Sequence, residues 1–237
     1  MTHADDWFRS GDWDAAAQEL FEAKLGRARK TGRAQYLRIK GLGLRQAGKL
    51  EAAQSLFLRV LEDYPHQWTE VRQTREHLAD MARDARRLDE AVAYYRQVLV
   101  TDGHPPLSCT SGGAHLSLAQ IHLDRGEHEL ALEALNYVAP TELGMNALIF
   151  RWNALLAEIS LALGEMQVSQ AAAQRALALL DAPDQFARHP GVGRATADRV
   201  EVERLQRLAH GRVPKSPHTG LFQRFGRKRT TPTADQG

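Results

Sequence analysis

Histidine and cysteine side chains that could bind a metal ion or act as nucleophiles are clustered near the middle of the chain. His115 and His122 are seven residues apart, so they share a helix face, and Asp124 and His128 follow closely. Zinc sites on helices usually place two histidines at i and i+4 or use pairs of cysteines. Core packing explains His122, and no His–Asn constellation marks the single cysteine, Cys109, which we place in a loop, as a nucleophile. We therefore predict no metal site and no cofactor.

The common signatures of catalytic sites do not occur in the sequence. It contains no P-loop, no G-x-S-x-G and no H-E-x-x-H. A single cysteine also excludes an internal disulfide framework. The sequence therefore predicts a non-catalytic protein, whose chemistry is that of binding.

Basic residues with binding chemistry lie near the end of the chain. From Arg212 onward six lysine and arginine residues face one acidic residue, a charge of +5, so the preceding residues carry −3 of the total of +2. Enrichment in proline, glycine and threonine predicts a disordered tail over residues 212–237. The cations of this tail that could contact nucleic acid, anionic lipid or a protein include Arg224, Arg227, Lys228 and Arg229.

A second candidate for nucleic-acid contact is the stretch Pro190-Gly191-Val192-Gly193-x2-Thr196-Ala197. It resembles the hairpin of helix-hairpin-helix DNA-binding motifs, although His189 stands where leucine is usual. The resemblance implies that Gly191, Gly193 and Arg194 contact a phosphate, since glycine lets backbone N–H groups approach it closely. The alternative is an ordinary Pro-Gly break after a helical array.

The elements that position these residues are predicted to be helices, because alanine, leucine, arginine and glutamate are abundant and aromatic residues are few. The clearest unit runs from Leu37 to Pro65. Its signature positions, including two substituted ones, are Leu37 in place of tryptophan, Lys40 in place of leucine, Gly41, Leu44, Ala53, Phe57 and Pro65. This pattern resembles the tetratricopeptide repeat (TPR), W-x2-L-G-x2-Y, then A-x3-F, then P. Gly41 is expected to meet Ala53 where the two helices of the unit cross.

Related units recur along the chain. The equivalent small residues are Ala16, Ala53, Ala91, Ala131 and Ser169, separated by 37, 38, 40 and 38 residues. The family's own unit has 34 residues, so these units are longer. We predict an all-α, TPR-like α-solenoid of about five helical hairpins over residues 1–182, with Trp7 in a short first helix. A capping-helix region follows over residues 183–211.

Three features of the units define their predicted boundaries. A long break is expected from Asp102 through Gly113, because glycine, proline and serine are concentrated there. A long helix is expected to begin at Thr141, a plausible N-cap, and to end at about Leu163. The capping helix is expected to run from about Arg194 to His210.

The TPR resemblance implies a binding groove lined by the first helix of each unit. Positions that step by three and four, and so share a helix face, are Gln35, Arg38, Leu42, Arg45, Gln73, Glu76, Asp80, Arg83, Leu116, Gln120, Leu123, Arg151, Glu158 and Leu161. The alternative is a solvated charged face. Leu42, Gly113 and Ser117 occupy places where some TPR domains hold a terminal carboxylate, so the resemblance does not extend to chaperone-tail binding.

The function that we predict is a non-catalytic adaptor or scaffold that binds a protein or peptide in this groove. The alternative is a nucleic-acid-associated protein that uses the residue 190–197 hairpin and the basic tail. No apolar run approaches the 18 or so residues of a membrane span, and the acidic start lacks the apolar region of a secretory signal. The expected location is therefore the cytoplasm.

Overall fold

The computed structural model describes residues 7–100 and 108–211, and for residues 108–111 it describes only the backbone. All regular secondary structure in these residues is helical. The α-helices are α1 Ala15–Arg27, α2 Arg33–Gln46, α3 Leu50–Asp63, α4 Trp68–Asp84, α5 Leu88–Leu99, α6 Ser108–Asp124, α7 His128–Asn136, α8 Asn146–Ala162, α9 Met166–Leu180 and α10 Arg199–Ala209. Short 3₁₀ helices occur at Lys30–Gly32 and Pro140–Glu142. The predicted all-α class is therefore confirmed.

Consecutive helices pack as pairs. The four pairs are α2 with α3, α4 with α5, α6 with α7 and α8 with α9. The second helix of each pair also packs against the first helix of the next, and α9 packs against α10 in the same way. In addition α2 contacts α4, α4 contacts α6 and α6 contacts α8. The first helices of the pairs therefore lie side by side and present a shared face.

One backbone turn closes all four pairs. Its middle residue has a left-handed φ of 62° to 82°, and the N–H of the following residue donates to a carbonyl five residues earlier, as from Lys49 to Leu44 at 2.9 Å. This bonding is that of a helix end with a left-handed C-terminal residue, a position that favours glycine. The four middle residues are Gly48, Arg86, Gly126 and Gly164.

Arg86 is the non-glycine member of this set, so replacing it should stabilise the protein. A left-handed φ of 62° brings its Cβ close to the backbone, a strain of about 1 kcal/mol that glycine avoids. We expect Arg86→Gly to raise the free energy of unfolding by about 0.5–1 kcal/mol in urea titrations. Gly48→Arg is the matched control and should lower it by a similar amount. A less stable Arg86→Gly variant would contradict the strain argument.

Small residues mark the core of each pair, as the repeat pattern predicts. Ala53, Ala91, Ala131 and Ser169 are all fully buried. Gly41 is buried too, but its neighbour differs from the predicted Ala53. A Cβ atom at Gly41 would lie 2.6 Å from Cε1 of Phe57, so the aromatic ring of α3 packs directly against the glycine of α2.

An irregular segment stands in place of the short first helix that we predicted before α1. Trp7 begins a turn and packs against Phe21 and Tyr36, with ring centroids 5.2 Å apart in both cases. Lys40, which replaces the usual leucine, is fully buried beneath this segment and donates through Nζ to the Ser10 carbonyl at 2.6 Å. The unusual lysine therefore ties the first described residues to α2.

Three predicted boundaries were wrong. Helix α6 begins at Ser108, so Gly113 and the backbone of Cys109 are helical rather than part of a break or loop. Helix α8 begins at Asn146 rather than Thr141, because a 3₁₀ turn and Gly144, with a φ of 66°, intervene. Helix α10 begins five residues later than predicted, where the Asp198 side chain accepts from the Glu201 N–H and caps the helix.

Candidate functional site

The predicted groove residues of α2 and α4 form ion pairs with each other and with neighbouring residues. Arg38 Nε lies 2.6 Å from Glu70 Oε2, and Arg45 lies 2.8 Å from Asp84 Oδ2 and 3.4 Å from Asp80 Oδ2. The partners are 32 to 39 residues apart in the sequence. These charges therefore join the first two pairs, and part of the predicted groove is used to hold the array together.

Asp80 is the centre of a polar network that extends to α5. Its Oδ1 accepts a hydrogen bond from Tyr95 Oη at 2.6 Å and lies 3.3 Å from Arg83 Nη1, which also donates to Tyr95 Oη at 3.1 Å. Burial raises the pKa of the Tyr95 phenol, so the phenol remains a hydrogen-bond donor. Asp80 and Arg83 are thus held in place by the core of their own helix pair.

A cluster of polar side chains and small residues, which we call the polar notch, lies where α4, α6 and α8 meet and comprises Glu76, Arg83, Gly113, Ser117 and Arg151. Arg83 Nη1 and Arg151 Nη2 both donate to Ser117 Oγ, at 3.4 and 3.3 Å. Gly113 lies one turn before Ser117, and a Cβ atom there would come within 2.9 Å of Glu76 Oε1. The two small residues of α6 therefore lie between a carboxylate on α4 and a guanidinium on α8.

Glu76 and Arg151 carry charges that their surroundings satisfy poorly. Both side chains are mostly buried. Burial and then the Asp80 carboxylate raise the pKa of Glu76 to about 7, despite Arg151 and Arg72. Burial, and after it Arg83, lowers the pKa of Arg151. Among the described residues, Ser117 is the one hydrogen-bond partner of the Arg151 side chain, so the notch has unused bonding capacity.

A second opening, the terminal cleft, lies between α6, α8 and α10 and has a volume of about 320 Å³. Its main lining residues are Gln120, Leu123, Asp124, Glu158, Leu161 and Arg204. Gln120 and Glu158 were predicted groove residues, and Glu158 Oε2 lies 2.7 Å from Arg204 Nη2. Sequence reasoning missed Arg204 because α10 was regarded as a cap and its polar face was not assigned to the groove.

The remaining predicted groove residues lie on the same helices, away from these two openings. Gln35 is exposed in the first turn of α2, and Gln73 is partly buried on α4. The structure therefore brings the predicted groove residues of α4, α6 and α8 together around the two openings, whereas Gln35 lies apart from them on α2.

The predicted phosphate-binding hairpin caps helix α8. Gln185 Oε1 accepts the first backbone N–H of this helix at 2.6 Å, and the Gly193 carbonyl accepts the next, from Ala147, at 2.8 Å. The Gly191 N–H donates to Asp184 Oδ1 at 3.1 Å, so a carboxylate lies where a phosphate would be needed. These contacts give the glycines a structural role.

The flanks of the hairpin differ from those of a helix-hairpin-helix motif. Arg194 is exposed, no helix lies in the described chain between the end of α9 at Leu180 and the hairpin, and α10 begins only at Arg199, after the hairpin has ended. The tail residues Arg224, Arg227, Lys228 and Arg229 lie outside the described residues. Nothing in the described part of the chain therefore favours nucleic acid as the ligand.

The clustered histidines make separate contacts. His122 is hydrogen-bonded through Nδ1 to the Glu127 carboxylate, and the His115 ring stacks on Tyr137 with centroids 5.3 Å apart. Among the side chains of residues 7–100 and 112–211, no group of three or more His, Cys, Asp or Glu is placed to hold a metal ion. These two histidines are thus explained by packing.

Comparison of the chain with protein-family models, with curated proteins and with solved structures finds no match. None of the helices in the described part combines the length and the apolar character that crossing a membrane requires. The shared face of the first helices, with the polar notch and the terminal cleft, is therefore the feature of the molecule that bears on function.

Proposed function

We propose that the chain is a TPR-like α-solenoid and acts as a non-catalytic adaptor, binding a peptide or a segment of another protein along the first helices. Four helix pairs joined by the same turn support the repeat architecture. Contacts between successive first helices support a continuous binding surface. Proteins built from stacked helix pairs characteristically use such surfaces for extended ligands.

The polar notch is the observation that carries this proposal. A peptide group offers a carbonyl acceptor and an N–H donor at every residue. Arg151 has donors to spare and the Glu76 carboxylate can accept hydrogen bonds, and Gly113 and Ser117 lie between the two. A bound peptide backbone, or a primary amide side chain, would satisfy both groups at once.

Chemistry at the notch is better suited to binding than to catalysis. Ser117 is the nucleophile type present, and its hydroxyl oxygen faces two guanidinium groups. A guanidinium stays protonated and so cannot accept the hydroxyl proton, which activation of a serine requires. We therefore assign Ser117 to ligand positioning.

Arg151→Met should separate binding from folding. We expect the variant to retain less than a tenth of the specific partner proteins that the full-length chain retains from an extract of its native organism. Its melting temperature should be nearly unchanged, because methionine fills similar space and Glu76, whose pKa is already about 7, can take up a proton once the guanidinium is removed. Arg175→Met, on the exposed side of α9, is the matched control and should retain the same proteins.

Arg38 and Arg45 are less suitable for this test. Reversing either charge would place like charges beside Glu70 or Asp84 and would weaken the contact between α2 and α4.

Equal retention of the same proteins by the Arg151→Met variant and the native chain, measured by quantitative mass spectrometry, would exclude the notch as the binding site.

A further inference from the structure

The terminal cleft combines an apolar floor with an excess of carboxylates. Leu123 of α6 and Leu161 of α8 are partly buried, and Leu208 of α10 closes the end. Gln120 Nε2 donates to Asp124 Oδ1 at 2.9 Å, which holds that carboxylate at the rim. The cleft therefore offers an apolar path that leads to acidic groups.

The charge balance of the cleft favours a cation. Asp124 and Glu158 line the cleft with one guanidinium, that of Arg204, which pairs with Glu158, and the Glu201 carboxylate lies near enough to act on Glu158. Burial raises the pKa of Glu158, and Glu201 and Asp124 raise it further, although Arg204 is only 2.7 Å away. Burial followed by the Asp198 carboxylate likewise raises the pKa of Glu201. A second positive group in the cleft would relieve this repulsion.

We propose that the terminal cleft receives an arginine or lysine side chain of the partner segment that binds along the first helices. This inference rests on the proposed adaptor function and adds the chemistry of the partner to it. The aliphatic stem of such a side chain lies on Leu123 and Leu161, and its charged head reaches Asp124 and Glu158. Arginine and lysine are the side chains that combine a long apolar stem with a positive charge.

The spacing between the two openings sets the register of the partner. Ser117 and Asp124 are seven residues apart on α6, and Arg151 and Glu158 are seven apart on α8. Seven residues of helix rise by about 10 Å, which equals about three residues of extended peptide. A group that binds the polar notch should therefore lie three positions from the basic residue in the partner sequence.

A fluorescein-labelled peptide, Gly-Ser-Asn-Ala-Leu-Arg-Leu-Ser-Gly, tests the chemistry and the register. Its asparagine amide suits the notch, and its arginine follows three positions later. In fluorescence anisotropy with the full chain, we expect it to bind at least tenfold more tightly than the same peptide with citrulline, a neutral analogue of arginine. It should also bind more tightly than a peptide with asparagine and arginine adjacent.

Variants of the cleft identify the site. Glu158→Gln combined with Asp124→Asn should weaken binding of the arginine peptide about tenfold and leave binding of the citrulline peptide unchanged. Glu129→Gln, on the exposed side of α7, is the matched control and should bind both peptides like the native chain. Thermal melting shows whether the double variant is folded, and Leu161→Ser provides a second test that alters no charge.

Three outcomes would overturn the inference. Equal affinity for the arginine and citrulline peptides, or no binding of either at millimolar concentration, would exclude a cation site. A full chain with four tail cations changed to glutamine could bind the arginine peptide more tightly than the native chain; these cations are Arg224, Arg227, Lys228 and Arg229. That result would show that the chain's own tail occupies the terminal cleft. Partner proteins could be lost by the Arg151→Met variant and yet be retained fully by the cleft variants. That result would support the adaptor function and show that the terminal cleft has no part in it.

Discussion

Replacing Gly41 with leucine should lower the free energy of unfolding by about 3 kcal/mol, the upper end of what overpacking a core costs. Even a Cβ atom at this position would come within 2.6 Å of Cε1 and 2.9 Å of Cδ1 of Phe57. The Phe57 ring cannot move away easily, because it is fully buried and packs against the His77 ring, 5.4 Å away between centroids. Helices α2 and α3 would therefore have to separate.

The alanine variants make the same test without a large side chain. Gly41→Ala should destabilise the protein although alanine favours helices over glycine, since the clash begins at Cβ. Gly26→Ala, in α1, is the control, because a Cβ atom there would meet nothing within 4 Å, and it should stabilise by up to about 1 kcal/mol. Urea titrations followed by circular dichroism measure all three. A Gly41→Leu chain as stable as the native one would show that the α2–α3 contact is wrong.

Glu76→Gln should stabilise the protein by about 3 kcal/mol at pH 8 and have little effect below pH 4.5. The pKa of Glu76 is raised to about 7 from an ordinary value of 4.5, mainly by burial. The native state therefore keeps the proton that the unfolded chain releases between these values. The free energy of unfolding that depends on protonated Glu76 is fully present below pH 4.5 and is lost as the pH rises through 7. Glutamine has the same shape and no charge, so it removes this loss.

Two comparisons make the Glu76 prediction specific. Glu70→Gln, which breaks the 2.6 Å pair with Arg38, should not stabilise at any pH. His77 acts in the opposite direction, because burial lowers its pKa to about 4 from 6.5, and stability should fall as the pH drops through this range. A Glu76→Gln variant that is less stable than the native chain at pH 8 would show that Glu76 and Arg151 stabilise each other as a pair.

Local patterns in the sequence were sufficient for the helices and the repeat. Gly41, Ala53, Ala91 and Ala131 are small because two helices that cross closely need small residues at the crossing, and this requirement appears at a fixed spacing. Glycine at the turn between paired helices follows from its freedom to adopt positive φ. The boundaries of α6 and α8 were less predictable. Helix α6 includes glycine and serine, which a helix can do when its neighbours bury one side of it, whereas a 3₁₀ turn and Gly144 delay the start of α8.

Details of the binding surface required the tertiary structure. The sequence places Arg151 and Glu158 on one helix face, but it does not reveal that Arg38 and Arg45 are neutralised by Glu70 and Asp84. It shows Gly113 and Ser117 only as two small residues. The structure sets them between Glu76 and Arg151, which turns them into the floor of a notch.

Composition and spacing were enough to predict an all-α fold and units of 37 to 40 residues, and to identify the helices whose faces carry charge. These properties depend on residues within one or two helical turns or within one helix pair, so spacing alone reveals them. Only the tertiary structure decided which charges pair and which keep unused bonding capacity. It also brought Arg204 of α10 to Glu158 of α8. Such contacts join residues more than 30 positions apart, and their distances depend on how successive helix pairs stack, a quantity that no local pattern encodes.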